Sequence, residues 1–81
     1  MDTLAQDLGQ AIRRRRLEAG LSQEALAERA DIHRNHIGFL ERGERSPTVE
    51  VLARIASALE VPPWVLLWEA TERAIWQPVG E

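Results

Sequence analysis

The segment from Leu21 to Pro47, LSQEALAERADIHRNHIGFLERGERSP, leaves little freedom in how the chain around it can fold. It holds two short runs with apolar residues at helical spacing, Leu26, Ala27 and Ala30 in the first and Ile37 and Leu40 in the second, joined by the turn Ala30-Asp31-Ile32. Ser22 is placed to cap the first run, and Glu24 in its first turn faces the positive end of the helix dipole. The first helix should end near Arg29 and the second before Gly43. An arginine- and glycine-punctuated loop follows. Helices this short draw their stability from packing, so the flanking sequence has to act as scaffold for them.

The flanks read as helix as well. Thr3-Leu4-Ala5-Gln6 has the form of a capping box, and Leu4, Leu8 and Ile12 recur every fourth residue until Gly20, which predicts a first helix over Leu4 to Ala19. Glu44-Arg45-Ser46-Pro47 reads as a loop and Thr48 as the cap of a fourth helix, with Leu52, Ile55, Ala56 and Leu59 as its core stripe and its end near Glu60. Pro62-Pro63 breaks the chain, and Pro63 suits the first position of a fifth helix carrying Trp64, Leu67, Trp68 and Ile75 along one side. No strand-like alternation interrupts the pattern. The expected fold is an all-α, compact five-helix domain over residues 1–76, with helix five at about 63–76 and a frayed tail at 77–81.

At 81 residues one core is only marginally sufficient, so a second subunit is expected to supply burial. The chain has no cysteine, and its longest near-apolar stretch, Val61 to Trp68, contains two prolines and falls far short of a membrane span. A reducing cytoplasm is the expected location. The net charge of −3 argues against a nonspecific nucleic-acid coat, but the charge is unevenly spread. Gly9 to Arg45 carries eight Arg against six acidic residues, whereas Ser46 to Glu81 carries two against five. The positive charge therefore accompanies the two short helices.

Ile12, Arg13 and Arg16, then Gly20-Leu21-Ser22-Gln23, Leu26-Ala27, Ile37, Glu41, Gly43, Arg45-Ser46-Pro47 and Leu52 to Leu59 together form a pattern. In these residues the chain resembles the lambda-repressor-like helix-turn-helix domains of the Cro and xenobiotic-response-element type, from about Gly9 to about Trp68. The resemblance implies a lambda-repressor-like fold that binds double-stranded DNA, with its second short helix, the recognition helix, in the major groove. Two positions depart from the family pattern: Asp31 stands where the turn often has glycine, and Glu60 where helix four often ends in glycine. Asp accepts a left-handed backbone better than most residues and Glu poorly, so the departure at Glu60 predicts either strain or a different helix end.

Helical phase sorts the recognition helix. With Ile37 inward at about 100° per residue, Asn35, Phe39 and Arg42 face outward, with His36 and Gly38 on the flanks. Arg34 lies nearer the core by angle but sits at the N-terminal end, which approaches base edges in this docking mode. Arg34, Asn35, His36 and Phe39 are the candidate base contacts, with Arg suited to guanine, Asn to adenine and Phe to thymine methyl groups. Packing of Phe39 against the loop is the alternative. Gly38 either lets the backbone approach DNA or relieves crowding beside Phe39. Gln23, Arg42, Arg45 and Arg14 or Arg15 are the candidate phosphate contacts.

Arg16 extends the series Leu4, Leu8, Ile12 by four residues and so points inward, while Glu41 lies one turn beyond inward Ile37. An isolated buried charge is costly, which predicts an Arg16–Glu41 ion pair, as the resemblance also implies. His33 and His36 have no third ligand at suitable spacing, so no metal site is expected, and no cofactor. His33 fits the start of the helix.

The sequence thus points to a sequence-specific transcriptional regulator reading an inverted repeat as a homodimer, with Trp64, Trp68, Ile75 and Trp76 at the subunit interface. Phage repressors, restriction–modification controller proteins and some antitoxins share this form. The alternative is a protein-interaction module whose apolar helix five docks a partner such as a toxin. An enzyme is disfavoured, because no nucleophile–base set, phosphate loop or metal-ligand spacing is evident.

Overall fold

The computed structural model describes residues 3–73, with side chains from Leu4 to Glu72. The roles assigned to the Thr3 side chain, to Ile75 and Trp76, and to the tail fall outside these residues. Five helices follow one another: α1 (Thr3–Glu18), α2 (Gln23–Ala30), α3 (Arg34–Glu41), α4 (Val49–Ala58) and α5 (Pro63–Arg73). Ser22 Oγ accepts from the Ala25 amide at 3.0 Å and Thr48 Oγ1 from the Val51 amide at 3.1 Å, so the expected caps start α2 and α4. The cap of α3 is His33, whose Nδ1 accepts from the Asn35 amide at 3.0 Å.

The first four helices all end the same way. A left-handed residue follows each, at Gly20, Asp31, Gly43 and Glu60, and the next amide reaches back five residues. These bonds run from Leu21 to the Arg16 carbonyl, Ile32 to Ala27, Glu44 to Phe39 and Val61 to Ala56, all at 3.0 Å. This is the Schellman stop, which satisfies carbonyls the helix leaves unpaired. Asp31 adopts φ 59° and Glu60 φ 62°, so both residues take up the left-handed backbone that glycine favours. α4 accordingly stops at Ala58, short of Glu60.

α1 lies against α3 and α5, α2 against α3 and α4, and α4 against α5. The core is Leu8, Ile12, Leu26, Ile37, Leu40, Leu52, Ile55 and Leu66, with alanines at the tightest places. One expectation needs correction. Leu4 lies outside the core at 37% exposure. The inward residues of α5 are Leu66 and Ala70, while Trp64, Leu67 and Trp68 face away from the core, because docking against α1 turns the Leu66 side inward. Among the described residues, no single helix is long and apolar enough to cross a membrane.

Gly9 sets how closely α1 and α3 approach. A Cβ at Gly9 would come within 2.2 Å of the Leu40 carbonyl oxygen and 2.7 Å of that of Glu41, so a side chain here would force the recognition helix off α1.

Candidate nucleic-acid interface

A buried ion pair holds the helix that carries the candidate base contacts. Arg16 donates from Nε to Glu41 Oε2 at 2.6 Å and from Nη2 to Oε1 at 3.0 Å, and its Nη1 donates to the Leu21 carbonyl at 2.8 Å. Both residues are 7% exposed. Gln23 adds its side-chain amide, donating to Glu41 Oε1 at 3.0 Å. One carboxylate thus ties α1, α2 and α3 together. The link from Gln23 was missed in sequence. Its position in the first turn of α2 suggested only an outward role, although the residue is partly buried and close to Glu41.

α2 and α3 enclose an open groove of about 670 Å³, lined by Ser22, Gln23, Glu24, Arg34, Asn35 and Gly38 among others. Arg34 and Asn35 are exposed at the N-terminal end of α3, and Arg34 Nη1 lies 3.6 Å from Glu24 Oε1 across the groove. His36 is half-buried on the flank. The space above Gly38 is taken by Arg42 and Gln23: a Cβ there would stand 3.0 Å from Arg42 Nη1. The side chains crowding Gly38 are thus those of Arg42 and Gln23, and Phe39 is not among its nearest neighbours.

Phe39 is half-buried, with the guanidinium carbon of Arg45 at 4.6 Å and that of Arg42 at 5.4 Å from the ring centroid. Both distances suit cation–π attraction, so the ring orders two arginines while keeping part of its surface open. Arg42 Nε also donates to Glu44 at 2.8 Å. That hydrogen bond holds the Glu44 carboxyl below the usual carboxylate range and raises Arg42. Arg34, Asn35, Phe39, Arg42 and Arg45 thus share one exposed side of α3 and its following loop.

Arg14 and Arg15 are not brought to this groove. Both guanidinium groups reach Glu69 on α5, Arg15 through a close fork from Nε and Nη2 and Arg14 from Nη2 at 3.5 Å. The Arg15 hydrogen bond is the main reason the Glu69 carboxyl is held below its ordinary value. Four consecutive arginines, Arg13 to Arg16, therefore divide by helical phase: Arg16 meets α3, Arg14 and Arg15 meet α5, and Arg13 is exposed. On α5, Trp64 is 68% exposed, Trp68 62% and Leu67 39%, forming an apolar face away from the groove.

A family model described as helix-turn-helix matches residues 12–63. Control protein C.BamHI of Bacillus amyloliquefaciens is 42% identical over 60 residues, covering 73% of this chain and 74% of that protein. Among solved structures, the clp gene regulator ClgR from Corynebacterium glutamicum aligns with a TM-score of 0.83 at 31% identity, over 86% of this chain and 74% of that one. The restriction-modification controller protein C.AhdI from Aeromonas hydrophila aligns with a TM-score of 0.75 at 35% identity, over 76% of this chain and 94% of its own.

Proposed function

The chain belongs to the lambda-repressor-like helix-turn-helix family, and on that premise we propose that it is a sequence-specific DNA-binding transcriptional regulator that works as a two-fold homodimer. The observation that carries the reading is the exposed side of α3, where Arg34, Asn35 and Phe39 stand together, with Arg42 and Arg45 at its far end. Arg34 and Asn35 read base edges in the major groove, Phe39 meets a thymine methyl, and His36 lies at the edge of the contact. Gln23, Arg42 and Arg45 contact phosphates and set the register. Arg14 and Arg15, engaged by Glu69, are left out of this set.

The apolar face of α5 is assigned to a second copy. Two such subunits present their recognition helices about one DNA turn, roughly 34–36 Å, apart, so the site is an inverted repeat. The likeness to controller proteins supports a role of that kind. Docking of an unrelated protein on α5 is the second reading, favoured by the same exposed tryptophans.

Selection of bound duplexes from a random DNA library, followed by mobility shifts over a salt series, tests the reading. An inverted repeat should emerge. Arg34→Ala or Asn35→Ala should cost about 1–3 kcal/mol on it and relax preference at one position, whereas Arg45→Ala should weaken all sequences alike and flatten the salt dependence. If single-base variants keep their ranking in both Arg34→Ala and Asn35→Ala, the assignment of base readout fails.

A further inference from the structure

We infer that Glu24 is a positioning residue for base readout: it holds Arg34 by one edge of the guanidinium and leaves the other edge free for a base. The inference rests on the role proposed above for Arg34.

A carboxylate is out of place in a groove that meets DNA, because it repels phosphates and lowers the net gain from neighbouring cations. Glu24 nevertheless sits on that groove beside Gln23, Arg34 and Asn35. Its location in the first turn of α2 satisfies the helix dipole, but that does not account for the ion pair it makes across the groove with Arg34.

The geometry of that pair matters. The approach is through Nη1 alone, at 3.6 Å to Glu24 Oε1. Guanidinium presents five donors in a rigid fork, so a partner at Nη1 leaves Nε and Nη2 available as a parallel pair, the arrangement that matches guanine O6 and N7. A long side chain at the first position of α3 would otherwise sample many rotamers and lose that freedom on binding. Glu24 is well placed to limit the sampling. The preceding residue, Gln23, is fixed to Glu41, and Glu41 belongs to α3 itself, so the two sides of the groove keep their spacing.

Two alternatives predict opposite signs. If the pair has to break for Arg34 to reach DNA, removing the carboxylate tightens binding to every duplex. If the pair persists in the complex, removing it weakens discrimination at the base pair that Arg34 reads.

The test measures affinity by fluorescence anisotropy for the duplex recovered by selection, its single-base variants and a random-sequence duplex. The proteins are the parent chain, Glu24→Gln, Arg34→Ala and the double variant, with Glu50→Gln on α4 as the control for net charge. Glu24→Gln should lose about two- to fivefold of preference at the base pair to which Arg34→Ala also becomes indifferent, as befits an exposed pair. Other positions should keep their ranking, and the random duplex should bind as well or better. In the Arg34→Ala background, Glu24→Gln should change no preference. Tighter binding of selected and random duplexes alike, or an unchanged preference in Glu24→Gln while Arg34→Ala loses it, overturns the inference and leaves the function standing. Unchanged preference in Arg34→Ala itself overturns the role of Arg34 and the inference with it.

Discussion

Arg16 on α1 and Glu41 on α3 meet in a forked, buried pair, and the third nitrogen of the guanidinium is spent on the Leu21 carbonyl at the end of the first helix. The pair sets the position of α3 because every charged atom in it already has a partner from another segment. Arg16→Ala strands Glu41 and leaves the Leu21 carbonyl unmatched. The expected loss is about 3–5 kcal/mol, a large share of a small domain's stability. Arg16→Met with Glu41→Leu should recover much of it, since an apolar pair removes the desolvation cost as well as the attraction. Denaturant melts of both single variants and the double variant decide the matter. Strictly additive losses would mean that the two side chains act independently.

Glu69 gives the domain an acid-sensitive link between α1 and α5. Its carboxyl is held below the ordinary value of 4.5, mainly by the Arg15 hydrogen bond and also by the charges of Arg15 and Arg14. In the unfolded chain the group regains its ordinary value. The stabilisation is therefore fully present above 4.5 and is lost as pH falls from there through the lower value of the folded state. Glu69→Gln should lower stability at neutral pH and flatten its decline below 4.5 relative to the parent. Parallel curves for parent and variant in denaturant melts across that range would exclude the link.

Much of this was legible in advance because it is local. Apolar spacing, Ser22, Thr48 and Gly20 mark the helices, and the inward phase of Arg16 and Glu41 identifies two charges that need each other. What escaped is long-range. Nothing near Arg14 and Arg15 announces that Glu69, 54 and more residues away, will engage them; phase alone gives a direction without a neighbour. For α5, periodicity marks one apolar side, Trp64, Leu67 and Trp68, without naming the residues that meet the core; contact with α1 is what places Leu66 and Ala70 inward. Gly9 carried a signal that was passed over: glycine inside a helix costs roughly 1 kcal/mol against alanine, and here it permits the close approach of α3. Asn35, Phe39 and Arg42 were legible as outward residues, but the ion pairs of Arg34 with Glu24 and of Arg42 with Glu44 depend on rotamers.

Glu60 holds a left-handed conformation at φ 62° for which its side chain gives no compensation evident in the structure. The backbone there costs an ordinary residue about 1–2 kcal/mol, part of which glycine returns as unfolded-state entropy. Glu60→Gly should therefore stabilise by about 0.5–1 kcal/mol. Gly9→Ala should do the reverse despite alanine's higher helix propensity, losing about 1–3 kcal/mol through overpacking against the carbonyls of Leu40 and Glu41. Thermal melts of the two variants should move in opposite directions. A rise for Gly9→Ala would show that α1 and α3 can separate without cost.

The apolar face of α5 joins residues one turn apart: Trp64, Leu67 and Trp68 lie at spacings of three and four on the side away from Leu66. Two tryptophans more than half exposed are a large apolar area for a small domain to leave in water, and burial against a second copy removes it without disturbing the core. This face is separate from the groove between α2 and α3, so a two-fold pairing through it leaves both recognition helices free. Trp68→Glu should give a folded monomer, because the position contributes little to the core. Operator binding should fall steeply, since the second half-site would no longer be filled at the high effective concentration that a dimer provides. Sedimentation of the parent and the variant at micromolar concentration separates the outcomes. A monomeric parent, or a Trp68→Glu variant that still dimerises, would remove α5 from the interface.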